Sequence, residues 1–504
     1  MTDLETAAAE AGASYDALPY VSHPFPQMQP ARLAGLARLF GLGPRDVNRA
    51  RVLEIGCASG GHLVPLAARF PSSRFLGLDP SSRQIEEGRA RAAALRLGNL
   101  ELRATGIEGL TENDGTFDYI LCHGVWSWVP DHVRVAILEA LRDRLAPQGV
   151  AYVSYNVLPG WHVLKAIRDS LVVATQDVTD ARARVARARD MLALMREGTD
   201  GETVWGKLWR QEAARLAEAS DDYIGHEFLE AENEAFRFSD FMREAQRHGL
   251  AYLGEAELFT MLPENGDPEI AAKLREMTGN ALIGVEQMLD VLNGRTFRQT
   301  LLIRATETAS IRRRLEPEAL EGLHLVAPLD LEADPAPDSG VPTWRDEAGR
   351  TIASPEPAAA TAIGRVIEAL PASTTVADLA KGLEGEERDI ALDAIFRMVT
   401  VGLLDVSDAP VVPVAKSGVK PRVFVVARVD AARGAATTAN LRHEIVHLDE
   451  AARLVLPLAD GTREVATIVA DLARIHAVRG LPRAADELVA HTLDWAARDG
   501  LLTG

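Results

Sequence analysis

The stretch that decides the fold is VLEIGCASGG at residues 52–61, an apolar run that ends in a glycine-rich turn. Gly56 and Gly60 allow the chain to turn tightly, and they let a ligand lie against backbone that a side chain would otherwise cover. A dinucleotide-binding loop would read G-x-G-x-x-G, but Ala58 replaces the middle glycine, and the phosphate-cradling G-x-x-x-x-G-K-[ST] is also missing. The pattern that remains is E-x-G-x-x-x-G, from Glu54 to Gly60.

Apolar runs and helical patterns alternate around this turn. Strands are predicted at residues 52–55, 75–79, 100–104, 117–123 and 149–155, and helices at residues 62–70, 82–97 and 131–145. Such alternation predicts an α/β fold, a Rossmann-like parallel sheet with helices on both faces, whose ligands bind beyond the carboxyl ends of the strands. We therefore expect the site on the loops that follow the first four strands.

Asp79 ends the second predicted strand, 23 residues after Gly56. At this position a carboxylate can accept hydrogen bonds from both hydroxyls of a ribose. Together with E-x-G-x-x-x-G, this favours the loop by which class I methyltransferases hold S-adenosylmethionine (SAM). The predicted cofactor contacts are Glu54, Gly56, Ser59, Gly60, Asp79, Pro80, Ile107, Glu108 and His123.

Two of these predicted contacts also have a structural explanation, which is the stronger one for Glu108 and an equally good one for His123. Ile107 would cover one face of an adenine and Glu108 would accept from its amino group, but an ordinary solvated loop acid also explains Glu108. His123 follows the fourth strand, where this fold lines the sulfonium, and packing at the end of an apolar strand explains it as well.

Tyrosine and tryptophan are concentrated near this site, since eight of the fourteen in the chain fall within the first 162 residues. An aromatic mouth suits an amine and its alkyl stem through apolar and cation–π contacts. Methyl transfer from a sulfonium mainly requires that the acceptor be oriented and water excluded, so we expect neither a catalytic triad nor a metal. The predicted acceptor contacts are Trp126, Trp128, Asn156 and Trp161, and Tyr20 and Tyr155 are candidate catalytic residues that orient the acceptor.

Composition bounds the class of protein. With 47% hydrophobic and 25% charged residues over 504 positions, the chain is an ordinary globular protein of several domains. Its formal charge of −19 repels nucleic acid at long range, so we expect no nucleic-acid partner. Two cysteines without zinc-ligand spacing, no secretory leader and no apolar run of membrane-spanning length predict a cytoplasmic protein without membrane insertion.

The chain divides further by pattern. Residues 1–175 form the predicted cofactor domain, and residues 176–310 a helical second domain that is also a candidate for dimerisation, so a homodimer is one expectation. Six prolines between positions 328 and 357 predict an irregular linker over residues 311–359. Residues 360–410 and 411–504 each close on a Gly-Leu-Leu turn and a short strand, which predicts two winged-helix-like units.

Several segments resemble a known family. They are YDALPYVSHPFPQ (15–27), LEIGCASGG (53–61), FDYILCHGVWSWVP (117–130), SYNVLPGWH (154–162) and HEFLEAENEAFRFSDFMREAQRHGLAYLGEAE (226–257). They are similar to bacterial class I methyltransferases with an appended methyltransferase regulatory domain, a group that includes rickettsial lysine methyltransferases acting on an outer-membrane protein.

The resemblance implies a particular arrangement around SAM. Glu54, Gly56, Gly60 and Asp79 would contact the cofactor, and His123 would form a wall of its pocket. The YDALPY segment would lie over the cofactor, and the helical and winged-helix-like domains would build a cleft wide enough for a protein substrate.

Three functions remain open at this point. The leading hypothesis is a SAM-dependent methyltransferase that acts on lysine side chains of a bacterial protein. The first alternative is a small-molecule N- or O-methyltransferase of a biosynthetic pathway, which would not need the chain after residue 310. The second is a non-catalytic regulator that senses SAM and binds DNA, against which stand 20 acidic and 16 basic side chains in residues 361–504.

Overall fold

The computed structural model describes residues 2–335, 337, 340–479 and 484–504. The helices of the first half are α1 (Asp3–Ala17), α2 (Pro30–Leu39), α3 (Leu63–Arg69), α4 (Ser82–Ala94), α5 (Asp131–Arg144), α6 (Trp161–Thr175), α7 (Ala181–Gly198), α8 (Val204–Ala217), α9 (Asp221–Phe228) and α10 (Phe238–Arg247). The later helices are α11 (Pro268–Met277), α12 (Leu282–Asn293), α13 (Pro357–Ala369), α14 (Val376–Leu379), α15 (Gly385–Thr400), α16 (Val425–Ala432), α17 (Glu450–Val455), α18 (Val465–Arg479) and α19 (Ala485–Arg498).

The strands fall into one large sheet and several small ones. The large sheet contains β1 (Arg51–Ile55), β2 (Arg74–Asp79), β3 (Leu100–Ala104), β4 (Phe117–Cys122), β5 (Leu145–Asn156), β6 (Leu250–Glu255) and β7 (Phe297–Arg304). The small sheets contain β8 (His324–Val326), β9 (Glu332–Ala333), β10 (Thr343–Arg345), β11 (Thr351–Ala353), β12 (Thr374–Thr375), β13 (Asp405–Ser407), β14 (Arg422–Val423), β15 (Thr437–Ala439), β16 (Ile445–His447) and β17 (Leu502–Thr503).

The large sheet has the order β3-β2-β1-β4-β5-β7-β6. Strands β1 to β5 pair in parallel, and β7 runs antiparallel to both of its neighbours. Ile55 pairs with Cys122 and Asp79 pairs with Ala104, so the carboxyl ends of adjacent strands meet at one edge. The predicted Rossmann-like α/β core is confirmed, and its ligand edge carries the loops that the sequence analysis selected.

The helical second domain predicted for residues 176–310 differs from the structure at two strands. β6 and β7 lie inside that range, yet they extend the large sheet beyond β5. Most residues of both strands are buried, because they pair with each other and with β5. The cofactor domain therefore does not end at residue 175 but takes its last two strands from the following segment.

The irregular linker predicted for residues 311–359 is also wrong in part. β8 pairs with β12 and β13, and β9, β10 and β11 form a separate three-stranded antiparallel sheet. The high proline content and the strands are compatible, because each of the six prolines lies outside these strands, and Pro357 begins α13. Proline in such positions removes no hydrogen bond from a strand or a helix interior.

Two small units follow, as the Gly-Leu-Leu turns predicted. In the first, α13 to α15 pack beside the β12-β8-β13 sheet, and Gly402 turns the chain with φ of +78° into β13. In the second, Gly500 makes the same turn with φ of +66° before β17. The first unit shares one continuous hydrophobic core with the large sheet, whereas the second has a core of its own.

No helix among the described residues combines the length and the apolar character that a membrane crossing requires.

Candidate active site

A cavity of about 840 Å³ opens at the carboxyl edge of the large sheet. The loops that follow β1, β2, β3 and β4 line one side of it. Helix α1 and residues 20–25 lie over these loops, and residues of α8 and α9 line the far side. The cavity therefore has a cofactor side, next to the strand ends, and a second side next to α8 and α9, which we call the acceptor chamber.

Both the backbone conformation and the available space require glycine at position 56. Its φ is +76°, and a Cβ built on it would lie 2.4 Å from Val125 Cγ2. Any side chain at this position would collide and would also strain the backbone. Gly56 lines the cavity, as expected of a loop whose backbone faces a ligand.

Two predicted contacts in the same loop do not line the cavity. Ser59 is absent from its lining, and a Cβ on Gly60 would meet the side chains of Val64 at 3.3 Å and Leu102 at 3.5 Å. The φ of Gly60, +71°, shows that this glycine serves the turn itself. Ser59 and Gly60 therefore shape the loop without lining the cavity, and their predicted contacts with the cofactor stay predictions.

Asp79 braces the loop and lines the cavity. Its Oδ2 accepts from the N–H of Ala58 (2.8 Å) and its Oδ1 from the N–H of Ser81 (2.9 Å). Burial raises the pKa of Asp79 to about 6, and the two backbone hydrogen bonds oppose this shift. Each carboxylate oxygen retains a second lone pair, which suits the paired hydroxyls of a ribose.

Glu54 is a buried acid without a cation. It lines the cavity, its side chain is 4% exposed, and its Oε2 has no hydrogen-bond partner among the described residues. Burial, reinforced by nearby Asp79, raises the pKa of Glu54 well above its usual range. An unpaired buried carboxylate is costly, so this position fits a ligand that brings a positive group, such as the ammonium of a methionine moiety.

The remaining predicted cofactor residues all line the cavity: Pro80, Ile107, Glu108 and His123. Glu108 Oε1 accepts from Thr105 Oγ1 (3.0 Å) and from the N–H of Gly106 (2.9 Å), so this oxygen holds its own loop. His123 lies with Nδ1 3.0 Å from Tyr152 Oη and its ring 4.4 Å from that of Phe25. Burial lowers the pKa of His123 to about 4, so the ring is a neutral wall of the cavity.

Helix α1 is held over the cavity by α9. The Tyr15 ring stacks on the His226 ring with centroids 4.3 Å apart, and Ser14 Oγ donates to Glu230 Oε1 (2.7 Å). His226 Nδ1 lies 2.8 Å from the same Glu230 oxygen. Tyr15 and Tyr20 of the YDALPY segment both line the cavity, and the position of this segment over the cofactor stays a prediction.

Four predicted acceptor residues line the cavity: Tyr20, Trp128, Asn156 and Trp161. Asn156 is fully buried, and its Oδ1 has no partner among the described residues, while its Nδ2 donates to Asn233 Oδ1 (3.2 Å). Trp128 Nε1 donates to the carbonyl of His226 (3.2 Å), so its ring is fixed at the chamber wall.

Two predicted acceptor residues are placed elsewhere. Tyr155 is fully buried, its hydroxyl lies 3.0 Å from Thr300 Oγ1, and its ring stacks on Phe241. Trp126 is 3% exposed and packs edge-on against the same Phe241. Neither lines the cavity, so the predicted roles of Tyr155 and Trp126 toward the acceptor are corrected to core packing.

Two acids of the chamber are absent from the residues predicted from sequence. Glu227 and Glu230 lie in α9 and the turn after it, three residues apart, and both line the cavity. Burial raises the pKa of Glu227 to about 7, opposed by a hydrogen bond from Asn156. The signal was present in HEFLEAE, because side chains three and four residues apart share one side of a helix.

Family models match three parts of the chain. A methyltransferase domain matches residues 52–149, a predicted methyltransferase regulatory domain matches residues 220–304, and a PKMT C-terminal winged helix domain matches residues 420–501. These ranges correspond to the cofactor domain, the segment that contributes α10 to α12 with β6 and β7, and the second winged-helix unit.

Individual proteins are similar over longer stretches. A Rickettsia prowazekii protein, RP789, is 38% identical over 57% of this chain, which spans about half (52%) of that protein's length, and RP028 of the same organism is 35% identical over 46% of this chain and 94% of its own. The solved structure of PKMT2 from Rickettsia typhi in complex with AdoHcy superimposes with a TM-score of 0.84 and 26% identity, over 96% of this chain and 100% of that one.

The residues at the cavity fit SAM as the cofactor. Gly56 leaves room for a ligand against the backbone, Asp79 presents lone pairs for a ribose, and Glu54 presents an unpaired carboxylate for an ammonium. The matched families and the AdoHcy complex of the similar structure identify the same cofactor. The chain belongs to the class I SAM-dependent methyltransferases that carry a methyltransferase regulatory domain.

Proposed function

We propose that this chain transfers methyl groups from SAM to lysine side chains of a protein. The observation that carries the proposal is the charge of the cavity. Among the described residues that line it, Arg215 is the one arginine or lysine, against the acids Glu10, Glu54, Asp79, Glu108, Glu212, Glu227, Glu230 and Glu232. Such a field attracts an ammonium group and repels an acidic acceptor.

The acids of the chamber are not equivalent. Arg215 Nε lies 2.8 Å from Glu212 Oε2, and Glu230 is bound to His226 and Ser14. Glu227 accepts a hydrogen bond from Asn156 and makes no direct ion pair among the described residues, and Arg215, which pairs with Glu212, acts on it only at longer range. Glu227 is therefore the carboxylate best placed to meet a cation that enters from outside.

Aromatic rings complete the chamber. Trp128, Trp161, Tyr20 and Tyr223 line it beside the acids. Their faces suit the four-carbon stem of lysine, and cation–π attraction to the ammonium adds about 0.5–2 kcal/mol. A chamber of rings and carboxylates thus matches both ends of a lysine side chain.

In the reaction that we propose, Glu227 removes one proton from the lysine ammonium and becomes a neutral carboxylic acid. Asn156 Oδ1 accepts a hydrogen bond from a remaining N–H and so directs the nitrogen lone pair toward the cofactor side. When bound, SAM supplies a methyl group on a sulfonium, which leaves as a neutral thioether once the new N–CH₃ bond forms. Glu227 then returns its proton to solvent, so each transfer releases one proton overall.

The pKa of Glu227 suits this task. At about 7 it lies near neutral pH, where a base is both deprotonated in part and strong enough to take a proton. Desolvation in the chamber also lowers the pKa of a lysine ammonium from its reference of about 10.4, which brings it closer to the pKa of Glu227.

The comparisons support a protein as the substrate. Similarity to the structure of PKMT2 from Rickettsia typhi extends over 96% of this chain, and the second winged-helix unit matches the PKMT C-terminal winged helix domain. A homodimer and a cytoplasmic location stay predictions.

The test is to incubate the protein with SAM labelled in its methyl group and a bacterial lysate. We expect label in the protein fraction, on Nε of lysine when digested peptides are sequenced by mass spectrometry. A lysate whose lysines have been acetylated beforehand is the control and should take up little label.

The alternatives give different results. Label confined to the low-molecular-weight fraction would support a small-molecule methyltransferase. No label in any fraction, with AdoHcy binding intact, would support a non-catalytic regulator.

A further inference from the structure

Two buried histidines from distant parts of the chain meet at the wall of the cavity. His62 precedes α3, directly after the glycine loop, and lines the cavity. His443 lies between β15 and β16 of the second winged-helix unit. His443 Nε2 is 2.8 Å from His62 Nδ1, and both residues are at most 2% exposed.

The hydrogen bonds decide which nitrogen of His62 carries the proton. The backbone N–H of Phe25 also points at His62 Nδ1 (3.3 Å), and a backbone N–H can only donate. His62 Nδ1 is therefore an acceptor, and the N–H between the two rings belongs to His443 Nε2. Burial lowers the pKa of His443 to about 3 and that of His62 well below its usual value, so both rings are neutral near pH 7.

It follows that His62 carries its proton on Nε2. This nitrogen is buried and has no partner among the described residues. An unsatisfied buried N–H is costly, and in a cavity wall it is best satisfied by an anionic oxygen of a ligand. Of the charged groups of SAM, only its carboxylate is an anion.

The second winged-helix unit also contacts the cofactor domain at residues other than the two histidines. Arg69 of α3 donates to the carbonyl of Leu441 (3.0 Å), and Arg91 of α4 makes a two-pronged ion pair with Asp430 (2.8 and 2.6 Å). His443 itself has φ of +67°, a left-handed conformation that is uncommon outside glycine. The turn is thus shaped so that this ring reaches the cofactor domain.

We propose that His443 is a positioning residue for the cofactor. Together with the backbone N–H of Phe25, it holds the His62 ring with its proton on Nε2, and that N–H binds the carboxylate of the methionine moiety. The second winged-helix unit thereby completes the cofactor site, although none of its described residues lines the cavity. This inference rests on SAM as the cofactor and not on lysine as the acceptor.

The test compares AdoHcy with 5′-methylthioadenosine, which has the adenosine and thioether but lacks the amino-acid moiety. Binding of both to the intact protein is measured by calorimetry for the wild type, His443→Leu, His443→Gln and Arg91→Ala. We expect His443→Leu to weaken AdoHcy about tenfold, as for a lost hydrogen bond to a charged group, and to leave methylthioadenosine unchanged. His443→Gln, whose amide can still donate, should bind AdoHcy within about threefold of wild type.

Arg91→Ala is the matched control, because it removes a contact between the same two domains without touching either imidazole. We expect it to lower the melting temperature and to leave the AdoHcy affinity unchanged. Nitrogen NMR of labelled histidine supplies a readout independent of affinity: the His62 signal should report Nε2–H in the wild type and change its tautomer balance in His443→Leu.

Several outcomes would overturn the proposal. One is that His443→Leu binds AdoHcy as the wild type does. Another is that it weakens both ligands equally, or that Arg91→Ala weakens AdoHcy as much, since either result assigns the effect to general loosening. A wild type that binds no AdoHcy would remove the cofactor itself, whereas a protein that binds AdoHcy but methylates no lysine leaves the proposal standing.

Discussion

Two groups of buried acids in this molecule differ in whether a cation of the protein pairs with them. Between β6, β7 and α12, three acids surround Arg298: its guanidinium lies 2.6 Å from Glu255, 3.1 Å from Glu286 and 2.9 Å from Asp290. At the cavity, neither Glu54 nor Glu227 forms a direct ion pair among the described residues, although Arg215 acts on Glu227 at longer range.

The difference separates structure from function. Acids that the protein pairs internally stabilise the fold and are closed to ligands. Acids that it buries without a partner cost stability, and this cost is tolerated where a ligand supplies the missing charge. Under the proposed function, the unpaired acids are the places where SAM and a lysine acceptor would bring their positive groups.

The largest effect is expected at the paired group. Arg298→Leu leaves three buried acids without their common partner, so we expect the free energy of unfolding to fall by about 3–5 kcal/mol, measured by urea denaturation. Arg142→Leu, which removes the exposed pair with Asp143, should leave the urea midpoint unchanged. A small effect of Arg298→Leu would mean that internal pairing is not what distinguishes the two groups.

Glu227→Gln should affect catalysis and not stability. Without the proton acceptor, we expect kcat to fall about 100-fold while KM for a lysine peptide changes little. The wild-type rate should rise with pH through about 7 as Glu227 loses its proton, and this step should vanish in the variant. Glu232→Gln, at an exposed lining acid, is the control. An unchanged pH profile would assign the proton to another acceptor.

Asp79→Ala should act on the cofactor alone. Loss of the carboxylate removes ribose contacts and frees the N–H groups of Ala58 and Ser81, so AdoHcy binding should weaken by about 1–3 kcal/mol. Glu86→Ala, an exposed acid on the neighbouring α4, should not change it. Calorimetry checks both variants, and equal affinities would exclude Asp79 from the site.

Glu54→Gln is expected to change stability and AdoHcy affinity least, and it tests directly whether an unpaired buried acid destabilises the fold. Because the folded pKa of Glu54 is raised, its ionisation disfavours the folded state, and apoprotein stability should decline as pH rises above the ordinary carboxyl pKa. The amide removes this decline, so the variant should be more stable than wild type at pH 8 by about 1–2 kcal/mol and bind AdoHcy more weakly. Melting temperatures from pH 4 to 8 test the sign.

The cofactor side could be predicted from sequence because it is local. Each of β1 to β4 is a contiguous apolar run, and the loops that follow carry the contacts, so position in the chain predicts position in space. β6 and β7 were missed for the opposite reason. They join the sheet through pairing with β5, which lies about 140 residues earlier than β7, and helices occupy most of the intervening chain.

Of the two predicted acceptor residues that proved to be core residues, one could have been recognised from the strand pattern. Tyr155 and Asn156 are neighbours at the end of β5, and alternate residues of a strand face opposite ways, so only one of them could line the cavity. Trp126 and Trp128 could not be separated in this way, because they lie in a short helical turn whose orientation depends on Phe236 and Phe241, more than a hundred residues later.

Hydrogen bonds between residues far apart in the chain set the order in which the parts of the site can assemble during synthesis. Ser14 bonds to Glu230, and His62 bonds to His443, so the earliest parts of the site wait for partners that leave the ribosome 216 and 381 residues later. A nascent chain can form its first βαβ unit early, but α1 gains its Glu230 partner only when almost half of the chain has been made. His62 gains its His443 partner later still, so the cavity wall that His62 forms reaches its final hydrogen bonding only towards the end of translation.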